Sequence, residues 1–417
     1  MQKTLILILI FFTSRAQAQN SFFLEEKICD SSQVIFYTDM IQRADGSAFV
    51  CGYYNVDSGT HQIPVLIKID ANHNEVMRKV YYAAVNREDQ FWEIKLLPNN
   101  NLLVMGNLES KDGAFTGMDT NSLSCGRILV AELDTLGNFI KTKTYSYCGQ
   151  TKPMDMVVDK KGNIYVCGHT ISKLFDFSAN PEGGMETNDF LIRLDTSFNS
   201  KWLEIFDAPG SQDFEPHICI GNNEDILFIT SSHTKGGYFS ANAPTPTGMI
   251  YITCLDSNKT KKWQKCYGSI NNAIGTNYYE ATSQIIYDSM AQNIYIVGFN
   301  TSKDGDMYEI LDNNPFPSTE SSYILKLDSV GNKIWCHRYG AFSASNPTSG
   351  KIPYAVAFDG GGLFKNDHIY LLSEVMYSDA NWTGTAVNNN QQSDQWLIKI
   401  DSLGDIKNKL RIFFYKF

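Results

Sequence analysis

The sequence lacks the features that mark nucleic-acid-binding and membrane-spanning proteins. Its 35 basic residues are outnumbered by 45 acidic ones, which gives a formal net charge of −10, and no basic cluster stands out along the chain. Nucleic acids and anionic lipids bind basic surfaces, so neither is expected as a partner. After Phe12, no stretch is apolar over the roughly 20 residues that a membrane helix needs, so membrane insertion is not expected either.

The residue spacings of metal sites and of activated serines are also missing. The seven histidines form no HxH, HxxxH or HExxH spacing, and no two cysteines form CxxC, so neither a metal site nor a cofactor is predicted. No Gly-x-Ser-x-Gly nucleophile elbow occurs. The composition alone therefore names no reaction.

The first residues are typical of an exported protein. A short basic start precedes the apolar run Thr4–Phe12, and the small-residue site Ala16-Gln17-Ala18 follows. This order predicts a signal peptide at residues 1–18. We therefore expect an exported monomer that is periplasmic, on the cell surface or secreted.

The nine cysteines are an odd number, so at least one thiol is free or pairs between chains. Export makes disulfides possible. Cys125 and Cys148 flank the turn that follows Asp134 at similar distances, and folding a hairpin about that turn brings them opposite each other. We predict a disulfide between them. Cys51 and Cys167 hold equivalent strand positions two repeats apart and are predicted to be small core residues.

The main feature present is a repeat: six apolar strands that each end in aspartate and are followed by a tight turn. The aspartates are Asp70, Asp134, Asp195, Asp256, Asp328 and Asp401. Their intervals, by subtraction, are 64, 61, 61, 72 and 73 residues. A recurring period of this size in a β-rich chain indicates a repeat architecture.

The third copy shows how one repeat is built. Strands are predicted at Met154–Asp159, Ile164–Gly168, Asp189–Asp195 and Lys201–Phe206, with a long polar loop between the second and the third. Four antiparallel strands that recur in this way predict the blades of a six-bladed all-β propeller. The predicted blades cover residues 34–82, 89–145, 152–206, 213–267, 280–339 and 352–413. Residues 19–33 are predicted to form an N-terminal segment.

The turn after each aspartate predicts a bulged hairpin. Copies such as Asp134-Thr135-Leu136-Gly137-Asn138 let the carboxylate accept backbone N–H bonds, while the glycine takes the left-handed conformation. Aromatic residues recur seven and eleven positions after the aspartate. They are Trp202, Trp263 and Trp335 at the first position and Tyr81, Tyr145, Phe206, Tyr267 and Tyr339 at the second. We expect them to fill the contact between neighbouring blades.

The fourth strand of the last blade has two candidates. Ser21–Ile28 could complete that blade from the N-terminal segment, or Lys407–Phe413 could supply the strand in chain order. The residues leave both arrangements open.

The recurring motifs resemble one known family. Gly162-Asn163-Ile164-Tyr165-Val166-Cys167-Gly168, the element Leu-Asp-x-x-Gly-Asn-x-x-Trp and the pair Tyr339-Gly340 are similar to those of secreted bacterial β-propeller-repeat proteins of the SBBP type, which are common in the Bacteroidetes. The resemblance spans essentially the whole chain after the signal peptide. It implies a propeller fold and export, and the family implies no particular reaction.

The candidate site residues fall into two groups. Asp89, Asp213 and Glu280 stand at one equivalent position, the start of the first strand, and could form carboxylates at the mouth of a central channel. Alternatively, each carboxylate could accept backbone N–H bonds from a neighbouring loop. Tyr238 and Trp382 represent aromatic residues of the long loops, as do Phe115 and Phe177. These could bind a ligand or pack back onto the blade edges.

Three functions are compatible with these patterns. The first is a non-enzymatic exported propeller that binds an extracellular or envelope protein or a glycan through the loops of one face. The second is a hydrolase or lyase that acts on polysaccharide with carboxylates at the central funnel. The third is a structural spacer in a cell-surface assembly.

Overall fold

The structure is a computed structural model. It describes residues 34–56, 61–83, 87–118, 126–180, 187–206, 214–232, 238, 249–268, 280–300, 305–307, 321–339, 353–358, 369–375 and 394–412. The chain divides into two compact units, one up to Ile205 and the other from Phe206 to Tyr415. Among the described residues, no helix has the length and apolar character needed to cross a membrane.

The first unit holds three four-stranded sheets, and each runs in chain order. The first contains β1 (Val34–Gln42), β2 (Ala48–Val56), β3 (His61–Ile69) and β4 (Glu75–Val80). The second contains β5 (Gln90–Leu96), β6 (Leu102–Leu108), β7 (Arg127–Leu133) and β8 (Phe139–Ser146). The third contains β9 (Thr151–Val158), β10 (Ile164–Thr170), β11 (Asn188–Leu194) and β12 (Ser200–Phe206).

The second unit repeats this plan with three further sheets. These are β13 (Phe214–Ile220), β14 (Ile226–Ser232), β15 (Met249–Leu255) and β16 (Lys261–Gly268); β17 (Glu280–Asp288), β18 (Asn293–Asn300), β19 (Ser321–Leu327) and β20 (Lys333–Tyr339); and β21 (Pro353–Phe358), β22 (Ile369–Val375), β23 (Asp394–Ile400) and β24 (Ile406–Ile412). The prediction of an all-β propeller fold with four-stranded antiparallel blades is confirmed.

The fourth strand of the last sheet comes from the end of the chain. β24 pairs antiparallel with β23, and Ile400 lies opposite Ile406. This is the second of the two predicted arrangements for that strand. The other candidate, Ser21–Ile28, lies outside the described residues, as does the predicted signal peptide at residues 1–18.

The turn after each aspartate has the predicted geometry. Asp134 Oδ1 accepts the backbone N–H groups of Leu136 and Asn138, both at 2.8 Å. Gly137 has φ of +78°, the left-handed region where glycine carries no penalty. His73, Phe198 and Lys259 hold the same place in other copies, also with positive φ. The turn therefore forces a left-handed residue even where the sequence supplies a side chain.

The core of each unit lies between neighbouring sheets, where the predicted aromatic residues pack. Tyr81 of the first sheet lies in one cluster with Phe91 and Leu129 of the second. Its hydroxyl donates to the carbonyl of Gly137 at 2.7 Å. In the second unit, the Tyr339 hydroxyl donates to Gly404 of the next sheet at 2.8 Å. The tyrosine that follows one aspartate thus fastens its sheet to the aspartate turn of the next.

Candidate functional site

The first strands of the three sheets in the first unit lie side by side. β1 contacts β5, and β5 contacts β9. The Thr38 hydroxyl donates to the carbonyl of Phe91 at 2.8 Å, so β1 and β5 are joined directly. We call β1, β5 and β9 the inner strands of the first unit.

Each inner strand carries a β-bulge, at Thr38, Trp92 and Met154. At this level the neighbouring second strand has a glycine, namely Gly52, Gly106 or Gly168. A Cβ at any of these positions would collide with a carbonyl oxygen of the inner strand. The glycines of the repeat are therefore required by the close approach of the bulged strand.

The residue after each bulge is acidic in all three sheets of the first unit. Asp39 lies opposite Cys51, Glu93 opposite Met105 and Asp155 opposite Cys167. In the second unit the equivalent register positions hold His217, Gln284 and Ala355. Within the described residues, this position is therefore acidic in the first unit alone.

Lys95 joins these acids into one group. Its ammonium contacts Glu93 Oε1 and lies 3.6 Å from Asp39 Oδ2. Asp39 is fixed by the backbone, because its two oxygens accept the N–H groups of Met40 at 2.8 Å and Ile94 at 3.0 Å. We call Asp39, Glu93, Lys95 and Asp155 the inner carboxylate cluster.

Glu93 is the buried member of this cluster. The residue is 8% exposed, and its Oε2 atom is buried without a hydrogen-bond partner. Burial raises the pKa of Glu93 well above its usual value; Lys95 opposes this shift, while Asp155 and Asp39 add to it. Burial lowers the pKa of Lys95, but attraction to Glu93 and Asp39 outweighs that effect and raises the pKa overall. Lys95 therefore stays charged.

Aromatic side chains lie next to the cluster, on the side of the long loops. Tyr53 stacks on Phe36 with centroids 5.3 Å apart and meets the edge of Trp92 at 5.9 Å. The Lys152 ammonium lies 4.7 Å from the centroid of Trp92. In the register of β9 and β10, Lys152 lies opposite His169. His169 is one residue before the end of β10, where the long loop begins. We call Phe36, Tyr53 and Trp92 the aromatic group.

The chemistry of the cluster favours hydrogen-bond donors over metal ions. Among the described residues, no set of three His, Cys, Asp or Glu side chains is arranged to hold a metal. A buried carboxylate oxygen without a partner is costly, and a donor from a ligand would remove that cost. The site can therefore accept hydroxyl or ammonium groups.

The acids predicted from the sequence have other surroundings. Asp89 is buried, and its Oδ1 accepts the backbone N–H groups of Glu109 at 2.8 Å and Ser110 at 3.0 Å. This is the second of the two arrangements that the sequence left open, in which the carboxylate binds backbone N–H groups. Glu280 is the first residue of β17, and its side chain is not described. Asp213 and Trp382 lie outside the described residues. The role proposed for these residues stays a prediction.

The loop aromatics that the structure describes pack inward. Phe115 and Phe177 each end a short 3-10 turn and are fully buried. Phe177 meets Phe190 at 5.1 Å, so the loop is anchored on its own sheet. Tyr238 is half-buried, with its ring centroid 4.6 Å from that of Phe206, the first residue of the second unit. Packing onto the blade edges is therefore correct for Phe115 and Phe177, while the binding role of Tyr238 stays a prediction.

The cysteines match the sequence analysis where the structure describes them. Cys148 is disulfide-bonded, but Cys125 lies outside the described residues, so their pairing stays a prediction. Cys51 and Cys167 form no disulfide and are fully buried. Burial raises the pKa of both thiols, so they stay neutral core residues.

The sequence patterns did not predict the inner carboxylate cluster, because its acids align only relative to the glycine of the neighbouring second strand. Asp39, Glu93 and Asp155 each stand 13 positions before a glycine of the second strand, by subtraction of residue numbers. Alignment of the repeats on these glycines would have shown three acids in one column. Alignment on the aspartate that ends the third strand does not show them together, because the long loops differ in length.

The structure is similar to several solved structures at low sequence identity. A protein of unknown function from Bacteroides caccae has 12% identity and a TM-score of 0.38, over 73% of this chain and 82% of that one. A protein of unknown function from Dyadobacter fermentans has 10% identity and a TM-score of 0.44, over 88% and 97%. An apocarotenoid oxygenase mutant from Synechocystis has 12% identity and a TM-score of 0.47, over 90% and 71%. No curated protein matches the chain.

A family model agrees with the resemblance found in the sequence. The model of the SBBP β-propeller repeat matches residues 149–176. This segment contains β9, β10 and the 3-10 turn Phe175–Phe177. It therefore includes Asp155 of the inner carboxylate cluster and the glycine opposite its bulge. The chain is therefore similar to β-propeller-repeat proteins of the SBBP type, and the match covers this one segment.

Proposed function

We propose that this chain is an exported, non-enzymatic β-propeller that binds a glycan at the inner strands of its first unit. The observation that carries the proposal is the Oε2 atom of Glu93, which is buried without a hydrogen-bond partner. Glu93, Asp39 and Asp155 also distinguish the first unit from the second, which has no acid at their position.

Glycan recognition fits the neighbouring side chains. Carboxylates accept hydrogen bonds from sugar hydroxyl groups, and aromatic rings offer apolar surface to the C–H face of a sugar ring. Tyr53 and Trp92 are half-buried beside the cluster. β10 passes from this level directly into a long loop, so residues of the loop face could also contact the ligand. The loop after β10 and the inner carboxylate cluster would then form one surface within the first unit.

A glycan array followed by titration calorimetry tests this proposal. The mature chain is expected to bind a glycan, and Glu93→Gln is expected to weaken binding tenfold or more, because hydrogen bonds to charged groups contribute about 1.5–3 kcal/mol. Tyr53→Ala should also weaken it. The matched control is Glu75→Gln on β4, the fourth strand of the first sheet, which removes an acid that pairs with Arg78 of the same strand. The glycan affinity of this variant should equal that of the wild type.

Three results would count against the proposal. If no glycan in a broad panel binds, the interpretation as a structural spacer gains support. If Tyr238→Ala abolishes binding while Glu93→Gln leaves it intact, the ligand binds at the loops of the second unit. Binding of a protein but of no glycan would also reject the glycan as ligand.

A second candidate function is cleavage of the glycan. The specific observation is that Glu93, whose pKa is raised by burial, and Asp39, which is held by backbone N–H groups, both contact Lys95. Two carboxyl groups in different surroundings can act as general acid and general base on a glycosidic bond. Release of reducing ends from a bound glycan by the wild type, and its absence in Glu93→Gln, would establish this activity. Binding without any product supports the non-enzymatic proposal.

A further inference from the structure

The charge balance of the inner carboxylate cluster is unequal. Among the described residues, two carboxyl groups, on Asp39 and Glu93, contact one ammonium, that of Lys95, and the Asp155 carboxyl raises the pKa of Glu93 further. Lys95 lies between Glu93 and Asp39, so its charge is already shared by two acids. A ligand hydroxyl would donate a hydrogen bond to Glu93 Oε2, but it would not neutralise the excess negative charge of the cluster.

We infer that the ligand presents a protonated primary amine to Glu93, as an amino sugar does. This inference rests on the proposed function and specifies its ligand. An ammonium group donates up to three hydrogen bonds and supplies the missing positive charge. Glu93 is more than nine-tenths buried and offers an oxygen without a partner, so the ammonium would replace the missing donor at that atom. The half-exposed Tyr53 and Trp92 lie beside this point and would receive the sugar ring.

The groups around Glu93 predict how binding depends on pH. Among the described residues, the charged groups that shift the pKa of Glu93 are Lys95 on its own strand, Asp155 on β9 and Asp39 on β1. The thiols of Cys51 and Cys167, on β2 and β10, stay neutral because burial raises their pKa. As pH rises through the raised pKa of Glu93, the carboxyl ionises and binding of an amine should tighten. It should weaken again only when the amine itself loses its proton.

Calorimetry with matched oligosaccharides tests the inference. Oligomers of glucosamine are compared with N-acetylglucosamine oligomers of the same length, which lack the charge, and with tetralysine, which carries the ammonium on a peptide. The amine-bearing sugar should bind at least tenfold more tightly than its acetylated form. Glu93→Gln and Asp155→Asn should each remove most of this preference, and Lys95→Met should increase it. Circular dichroism checks that each variant is folded.

The outcomes separate the inference from the proposed function. Equal or better binding of the acetylated sugar, still lost in Glu93→Gln, would overturn the amine and leave the glycan site standing. No binding of any sugar, or binding unchanged by Glu93→Gln and Asp155→Asn, would reject the site itself. Tight binding of tetralysine with no binding of glucosamine oligomers would uphold the ammonium chemistry but place it on a peptide and so reject the glycan.

Discussion

The tyrosine that joins one sheet to the next offers the most direct test of how the repeat is held together. Tyr81→Phe removes one hydroxyl and keeps the ring. Tyr81 is 2% exposed, and its hydroxyl donates to the carbonyl of Gly137 at 2.7 Å across the contact between the first and second sheets. The ring packs against Phe91 and Phe139, with centroids 4.9 and 5.2 Å away, and these contacts remain in the variant.

The expected magnitude follows from what is left behind. A typical hydrogen bond contributes about 1 kcal/mol, and a buried carbonyl that loses its partner costs about 1–3 kcal/mol. We expect Tyr81→Phe to lower the free energy of unfolding by about 1.5 kcal/mol. For a cooperative unit of about 150–250 residues, this corresponds to a fall in Tm of about 3–6 °C.

The assay combines thermal unfolding with local hydrogen exchange. Calorimetry gives Tm, and exchange of the peptide that contains residues 134–139 reports the turn that Tyr81 contacts. The matched control is Tyr82→Phe, because the neighbouring Tyr82 is 64% exposed and its loss of a hydroxyl should be neutral. If Tyr81→Phe and Tyr82→Phe have the same Tm and the same exchange at the turn, the hydrogen bond between the sheets does not stabilise the unit and the reasoning is refuted.

Three further predictions concern the loop, the turn and the site. Phe115→Ala should destabilise the chain by about 3–5 kcal/mol in chemical denaturation because a fully buried ring is lost, whereas Leu136→Ala, at a 65% exposed position, should be nearly neutral; equal effects would contradict the anchoring of the loop. Burial raises the pKa of Asp134, but N–H bonds from Asn138 and Leu136 outweigh it and lower the pKa overall, so its stabilisation is present above the unfolded pKa and lost as pH falls. Asp134→Asn should therefore lose less stability on acidification than the wild type, and parallel curves would refute this. Glu93 has a raised pKa and makes the opposite contribution, because its charged form is disfavoured in the folded state. The free energy of unfolding of the wild type relative to Glu93→Gln should therefore fall as pH rises above about 4.5. A difference in this free energy that does not change with pH would argue against the burial of Glu93.

Much of the fold could be read from local patterns. The aspartate turns repeat because Asp and a following left-handed residue form a hairpin that depends on a few adjacent residues. The strands before these turns are apolar on both faces, as in β7 and β15, which are buried along their whole length. Such a pattern is typical of a strand in the middle of a sheet that packs between two other sheets.

The loop residues show where the sequence left two outcomes open. Phe115 and Phe177 lie in polar loops, where they could bind a ligand or pack onto the blade edges, and each is fully buried. A short 3-10 turn brings each ring back onto the sheet that its loop leaves. The sequence contains the aromatic residue but not the direction of the turn, so it could not decide between the two outcomes.

The sequence by itself determined the repeat, its four strands, the turn at each aspartate and the aromatic contacts between sheets, because these depend on residues a fixed number of positions apart. Only the tertiary structure decided that Asp39, Glu93 and Asp155 meet with Lys95. Glu93 stands 54 residues after Asp39 and 62 before Asp155, by subtraction. Bulged inner strands place these three acids at one level, and that level arises only when the sheets of the first unit pack side by side.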